Sequence, residues 1–339
     1  MQLSAYTQRR LIASAKLGLA AVPFVVLIRI TQGGFIPGAI ILGFGLGFTV
    51  GIAELFLLRQ WFRQLPFFLH LLVKSSAILC FLCIGFALLN ILDVLIVGIT
   101  WQAYLHTVFS WQTVQGLLVM LCIIIFLLFF VQLDRLLGPG VLFGYLTGKY
   151  HQPRREQRIF MFLDLKDSTA IADEMRGDRY FTFLHHYFSE MSEPILRADA
   201  RIYQYVGDEV VLTWLHKRGV EDANCLRVFF EIRDHLYAQR AQFVRAFGRA
   251  PEFKAGVHGG EVITAQIGDL KKEIVYNGDV LNTAARIQAQ CNVLGHALLV
   301  SEELMDELNP GSNYSITRLG PIALKGKTQP VRLCAVEQG

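Results

Sequence analysis

Over the first 135 or so positions the apolar residues run in long, nearly unbroken stretches, whereas beyond about 158 they fall into short runs separated by polar and glycine-containing breaks. A helix needs about 20 apolar residues to cross a bilayer. Four stretches are that long, at 11–31, 37–58, 72–96 and 112–133, and they predict four transmembrane helices with short connectors. Gly138-Pro139-Gly140 should end the last of them. In the second half, "RIFMFLDL" (158–165) reads as a strand. Residues 169–197 have helical spacing, with Asp167 or Ser168 placed to cap the N-terminus. "IYQYVGDEVVLTW" (202–214) is two β-rich runs meeting at Gly207-Asp208, a hairpin signal. A helical stretch covers 220–247, and 252–268 reads as a second hairpin turning at Gly259-Gly260. Residues 273–291 pass from strand to helix, and closing strands lie near 313–336. This order predicts an α+β domain: an antiparallel-rich sheet with helices on one face.

Charge sharpens the division. Of the 339 residues, the first 150 hold nine Lys/Arg and three Asp/Glu, and the remainder hold 23 basic and 25 acidic residues. A charge-balanced second half lacks the basic face that nucleic acid requires, so nucleic acid is excluded as the main partner. Arg9, Arg10 and Lys16 precede the first span, Arg59 and Arg63 lie between the second and third, and a basic segment follows the fourth. The connectors 31–38 and 97–111 contain no Lys or Arg. The positive-inside rule then puts both termini in the cytoplasm. The expected organisation is a four-helix transmembrane domain over 1–134, a cytosolic linker over 135–157 and a soluble domain over 158–339. Arg154, Arg155 and Arg158 follow the membrane closely enough to meet anionic lipid. Glu54, Lys74 and Asp93 fall in or near the spans, and the matched depths of Glu54 and Lys74 suggest a pair. Cys80 and Cys83 lie inside an apolar run and read as packing residues.

Several polar residues interrupt the second half at chemically suggestive places. Asp164 ends an apolar strand, Asp208 sits on a hairpin turn, Asn282 and Arg286 share one helix face at i and i+4, and Lys325 precedes the final strand. Each alone has an ordinary structural explanation as a cap, a turn residue or a solvated face. In order, however, "FLDLKDST", "YVGDEVV", "AGVHGGEV", "GDVLNTAARI" and "LKGKTQPVRLCAV" resemble the sequence blocks of class III nucleotidyl cyclases, over about 159–336.

The resemblance implies an α+β, ferredoxin-like catalytic domain behind an α-helical membrane domain. It implies that Asp164 and Asp208 hold metal, with the backbone carbonyl of Leu165 as a further ligand, and that two Mg²⁺ or Mn²⁺ ions bind per site. Asn282 and Arg286 match the residues that hold the ribose and stabilise the transferring phosphoryl group, and Lys325, with Lys327 as the alternative, matches the lysine that reaches the triphosphate. In this family the carboxylates and the Asn/Arg pair come from different subunits, so the resemblance implies a head-to-tail homodimer. It also implies a multi-pass protein of a bacterial inner membrane, with the catalytic domain in the cytoplasm. The positions that read the base in many relatives are here Gln204 and Val275. A Gln amide suits an adenine edge, so ATP is the expected substrate and cyclic AMP the product, with GTP, or both nucleotides, as the alternative. Two rival readings are a weakly catalytic nucleotide-binding membrane sensor and a diguanylate cyclase; the "VGDEVV" block does not match the latter.

Overall fold

The computed structural model describes residues 5–31, 36–52, 66–80, 83, 100–138 and 141–339. They form two compact units, Met1–Leu137 and Gly138–Gly339. The first unit contains helices α1 (Ala5–Thr31), α2 (Ile36–Ile52), α3 (Phe67–Cys80), α4 (Trp101–Val108) and α5 (Trp111–Leu137), of which α1, α2, α3 and α5 share an apolar core that includes Ala21, Val50, Ile78, Ile124 and Leu128. Small residues bring α1 and α2 together: a Cβ on Gly47 would lie 2.3 Å from the Leu17 carbonyl oxygen, and one on Gly51 would lie 2.6 Å from the Ser14 Cα. Among the described residues, Trp111–Asp134 is the one helix long and apolar enough to span a bilayer. The expected second and third spans fall only partly within the described residues, and Glu54, Asp93 and the expected Glu54–Lys74 pair lie outside them. Lys74 itself is buried. Helix α5 stops at Leu137, where Gly138 takes up a positive φ of 97°.

The second unit opens with a short helix, α6 (Val141–Leu146), and then strand β1 (Arg154–Leu165). Helices α7 (Ser168–Glu174) and α8 (Gly177–Arg197) lead to the hairpin β2 (Arg201–Val206) and β3 (Glu209–Leu215). Helices α9 (His216–Val220), α10 (Asn224–Ala238) and α11 (Arg240–Phe247) precede strands β4 (Phe253–Ile267) and β5 (Glu273–Asn277). Helix α12 (Asp279–Leu294), strand β6 (Leu298–Ser301), helix α13 (Glu302–Glu307) and strands β7 (Tyr314–Ile322) and β8 (Val331–Gln338) complete it. The strand order is β2-β3-β1-β4-β6-β8-β7, with β5 paired to β4. All pairings are antiparallel except β4 with β6.

Period-two alternation along β1 gives the sheet two apolar faces. Ile159, Met161 and Leu163 pack with Phe183, Tyr187 and Met191 of α8 and with Val228 and Ile232 of α10. Phe160 on the opposite side packs with Val211, Val262 and with Val280 and Ala284 of α12. Helices therefore cover both faces, not the single face that element order suggests, and α12 has the second face largely to itself.

The expected hairpin at Gly259-Gly260 is absent: β4 runs straight through, pairing Gly259 with Ile159 and Gly260 with Arg158. Neither glycine has a positive φ. Their use is close packing. A Cβ on Gly260 would lie 2.8 Å from Val280 Cγ2, and one on Gly256 would lie 2.2 Å from the backbone nitrogen of Gln288. The missing side chains let α12 settle onto β4. Two expected helices are also interrupted: 169–197 breaks at Met175, whose backbone is extended (φ −103°, ψ 138°), and 220–247 divides near Gln239. Asp167 does occupy the N-cap position of α7, but with left-handed backbone (φ 55°) and no side-chain cap bond.

Candidate active site

Three neighbouring strands build an acidic corner. The register places Asp164 of β1 opposite Glu209 of β3 on one side and Lys254 of β4 on the other. The two-residue turn between β2 and β3 is made possible by Gly207 (φ 63°), and it brings Asp208 beside Asp164. Burial first, and then the Asp208 carboxylate, push the Asp164 carboxyl up, against the opposing pull of Lys254. Burial and the same two aspartates push Glu209 up to about 7. Lys254 Nζ lies 3.3 Å from Asp164 Oδ2, and Gln288 Nε2 donates to the same oxygen at 2.8 Å. Asp208 Oδ2 is buried with no hydrogen-bonding partner.

That orphaned oxygen is the test of whether the corner suits a cation. A buried carboxylate oxygen without a donor is costly, and a second carboxylate alongside adds repulsion. A hard divalent ion takes carboxylate oxygens and relieves both. The donor set therefore fits Mg²⁺ or Mn²⁺, with Asp164 and Asp208 as its carboxylates. Leu165 follows Asp164 as the last residue of β1, with its side chain buried. Among the described residues no three His, Cys, Asp or Glu side chains converge in metal-binding geometry, so the corner offers a pair of acids and not a closed cage.

The second group of residues lies on and beside α12. Its inner face buries Val280, Thr283, Ala284, Ile287, Gln288 and Cys291. Asn282 is exposed and Arg286 half-buried. With 3.6 residues per turn, Asn282 and Arg286 are rotated by roughly 200–240° from Gln288 about the helix axis. One side of α12 thus touches Asp164 while the other side carries the Asn/Arg pair. Arg286 packs against the loop before β8: a Cβ on Gly326 would lie 3.3 Å from Arg286 Nη2. Lys325 and Lys327 flank that glycine. Lys327 is ion-paired to Asp279 at the start of α12, which holds the Asp279 carboxyl below its usual range, whereas Lys325 is exposed. An open cleft of about 710 Å³ runs beside Lys327, lined also by His258, Asp279, Thr283 and Glu302, and neither Asp164 nor Asp208 borders it.

Of the residues expected to meet the base, Gln204 lies toward the other edge of α12's face of the sheet, whereas Val275 does not share that face. A bulge in β2 between Ile202 and Gln204 pairs Gln204 with Val211, whose side chain lies in the Phe160 cluster. Tyr203 and Tyr276 meet edge to face, with ring centroids 4.9 Å apart, and both touch Phe160. Alternation along β5 puts Val275 on the opposite side from Tyr276.

The structure thus gathers Asp164 with Asp208, and Arg286 with the Lys325–Lys327 loop and with Asn282 on the same side of α12, but leaves α12 between the two groups. Lys254 and Gln288 were not anticipated from sequence. Nothing local marks Lys254, whose relation to Asp164 is set by strand register. Gln288 carried one signal, a polar residue on the apolar stripe of an amphipathic helix.

A sheet faced on one side by a lone helix, with paired acids at a strand end and a turn, and an Asn-x-x-x-Arg pair on that helix, defines a nucleotidyl cyclase type of catalytic domain. Residues 150–334 match the family of the adenylate and guanylate cyclase catalytic domain, and the chain belongs to that family. It is 35% identical over 213 residues to adenylate cyclase 2 of Rhizobium meliloti (strain 1021), a match covering 63% of this chain and 59% of that protein. It is 28% identical over 176 residues to adenylate cyclase 1 of the same organism, covering 49% of this chain and 25% of the relative. A solved bacterial light-regulated adenylyl cyclase shares the fold at a TM-score of 0.54 and 19% identity, covering 63% of this chain and 64% of that one. The chain thus spans a little over half the length of the first of these relatives and a quarter of the second.

Proposed function

We propose that this protein is a membrane-bound adenylate cyclase that converts ATP to 3′,5′-cyclic AMP and pyrophosphate at sites shared between two copies of the chain. The observation that carries the reading is the separation of the two groups: α12 contacts Asp164 with one face and presents Asn282 and Arg286 on the other. One chain holds both halves of a site but turns them apart. Two chains packed head to tail across this face of the sheet bring the acids of each against the helix of the other, and so complete two equivalent sites.

The reaction needs an in-line attack of the ribose 3′-oxygen on the α-phosphorus. The 3′-hydroxyl loses its proton to solvent, the new oxygen–phosphorus bond closes the ring, and the bond from the α-phosphorus to the bridging oxygen breaks to release pyrophosphate. Divalent metal, when bound, acidifies the attacking hydroxyl and neutralises phosphate charge. Asp164 and Asp208 provide its carboxylate oxygens, with the Leu165 carbonyl as a further ligand. Asn282 orients the ribose, and Arg286 supplies fixed positive charge to the phosphoryl oxygens as bonds rearrange. Lys325, exposed and on the same loop as Gly326, reaches the triphosphate; Lys327 is occupied by Asp279 and braces the loop. Gln204 contacts the base edge. The preference for ATP is supported by the Gln204 amide and by the adenylate cyclase names of the relatives in Rhizobium meliloti.

The four apolar stretches of the sequence, with Trp111–Asp134 long and apolar enough to span a bilayer, support a first unit in a bacterial inner membrane and a cytoplasmic catalytic domain. Full-length protein, purified in detergent and incubated with ATP or GTP and Mg²⁺ or Mn²⁺, should release cyclic AMP and pyrophosphate from ATP. Absence of cyclic nucleotide from either substrate, in a protein shown to be folded, would refute the activity. A faster reaction with GTP would refute the base assignment.

A further inference from the structure

The acids of the corner are oriented from outside the corner. Asp164 Oδ2 is held from two directions, by the Gln288 amide at 2.8 Å and by Lys254 Nζ at 3.3 Å. Gln288 is buried on the inner face of α12, and it reaches β1 only because Gly256 has no side chain to keep the helix off the sheet. Glycine, amide and carboxylate form one line of contact, from β4 through α12 to β1. Neither Gln288 nor Lys254 has any part in the bond-breaking chemistry outlined above.

We propose that Gln288 is a positioning residue for the divalent-metal site, fixing the Asp164 carboxylate so that its remaining oxygen is presented to the ion. The inference rests on the assignment of Asp164 as a metal ligand. A free carboxylate rotates about its last bond and must be ordered when a cation arrives; a carboxylate already anchored through one oxygen avoids that entropic loss. Neutral donors suit the task better than a cation does. Lys254 competes electrostatically with the metal for Asp164, whereas the Gln288 amide holds the group without opposing the ion's charge. Partners that orient a ligating carboxylate in this way contribute about 10- to 100-fold in metal affinity. The same contact links the metal site of one chain to the helix that bears Asn282 and Arg286, so α12 cannot shift without disturbing Asp164.

The test uses the full chain in detergent with Gln288→Met, which keeps the length and removes the donor, and Gln288→Asn, which keeps the amide but falls short of Asp164. Two readouts are taken: the Mn²⁺ concentration for half-maximal cyclase activity, and, with no nucleotide present, the Mn²⁺ concentration at which the melting temperature rises. Both variants should require about 10-fold or more Mn²⁺ on each scale. At saturating Mn²⁺, kcat should return to within about threefold of wild type. The melting temperature in chelator reports whether each variant folds, and Gln288→Asn preserves polarity should Gln288→Met fail to do so. An unchanged Mn²⁺ requirement, or a loss of kcat that saturating Mn²⁺ does not restore, would overturn the proposal. If wild type made no cyclic nucleotide but still bound Mn²⁺ in a Gln288-dependent way, the proposed activity would fall and this inference would stand.

Discussion

The acidic corner and the outer face of α12 are opposite solutions to presenting charge. The corner is built from three adjacent strands, so its geometry is fixed by backbone pairing, and its acids are half-buried and crowded. Its charges are in conflict: Asp164 and Glu209 are both pushed up, and one Asp208 oxygen has no partner. The helix face carries exposed Asn282, half-buried Arg286 and exposed Lys325, braced by a loop but facing solvent. The corner crowds three carboxyl groups around one lysine, Lys254; the helix face spreads its polar groups toward solvent. The difference teaches that backbone pairing can hold conflicting charges close together, whereas a helix face leaves its polar groups open to solvent.

The comparison is most severely tested by removing the conflict. Asp208→Asn should lower turnover by about 10² or more, because metal ions contribute several kcal/mol to such reactions. It should not lower the melting temperature in chelator, since it removes a charge crowded by Asp164 and with one oxygen lacking a partner. Near-normal turnover would show that the corner is not the metal site.

A smaller effect is expected where the base is read. With one amide at Gln204 and an apolar Val275, few buried polar groups are left unpaired by the wrong base, and rejection is correspondingly mild. ATP should be favoured over GTP by about 10–10² in kcat/KM. Gln204→Lys combined with Val275→Asp should sharpen that ratio, as measured with both nucleotides at saturating metal. An exclusion of GTP beyond about 10⁴ in wild type would mean that other groups read the base.

The smallest effect concerns Glu209. Its carboxyl is raised to about 7 from 4.5, so the folded chain holds this proton more tightly than the unfolded chain does. The stability contributed by the group is therefore full at and below the unfolded value, and is lost as pH rises from about 4.5 through 7. Glu209→Gln should accordingly raise the melting temperature in chelator by a few degrees at about pH 8 and by little at about pH 5. Equal shifts at both pH values would show that burial and the neighbouring aspartates do not raise this carboxyl.

What could be read from the sequence follows the range of each interaction. The turn at Gly207-Asp208 was legible because a two-residue hairpin is specified by the turn residues themselves. The Asn282/Arg286 face was legible from helical spacing alone. The same glycine logic failed at Gly259-Gly260, where the residues serve the approach of α12, an element some 20 positions further on. Sheet coverage failed similarly, since which face a helix takes is a tertiary matter. Gln288 and Lys254 were missed because both meet Asp164 through packing and register. The membrane spans are the reverse case: composition alone suggests four, and Trp111–Asp134 stands out among the described residues.

The claim that each site is shared between two chains is tested most directly by mixing inactive partners. Asp208→Ala and Arg286→Ala should each be nearly inactive as homodimers. Co-expressed, with the mixed dimer isolated by two different affinity tags, they leave one site with all its groups intact, and the mixed dimer should regain roughly half of wild-type activity. A verified mixed dimer that stays as inactive as its parents would contradict a shared site.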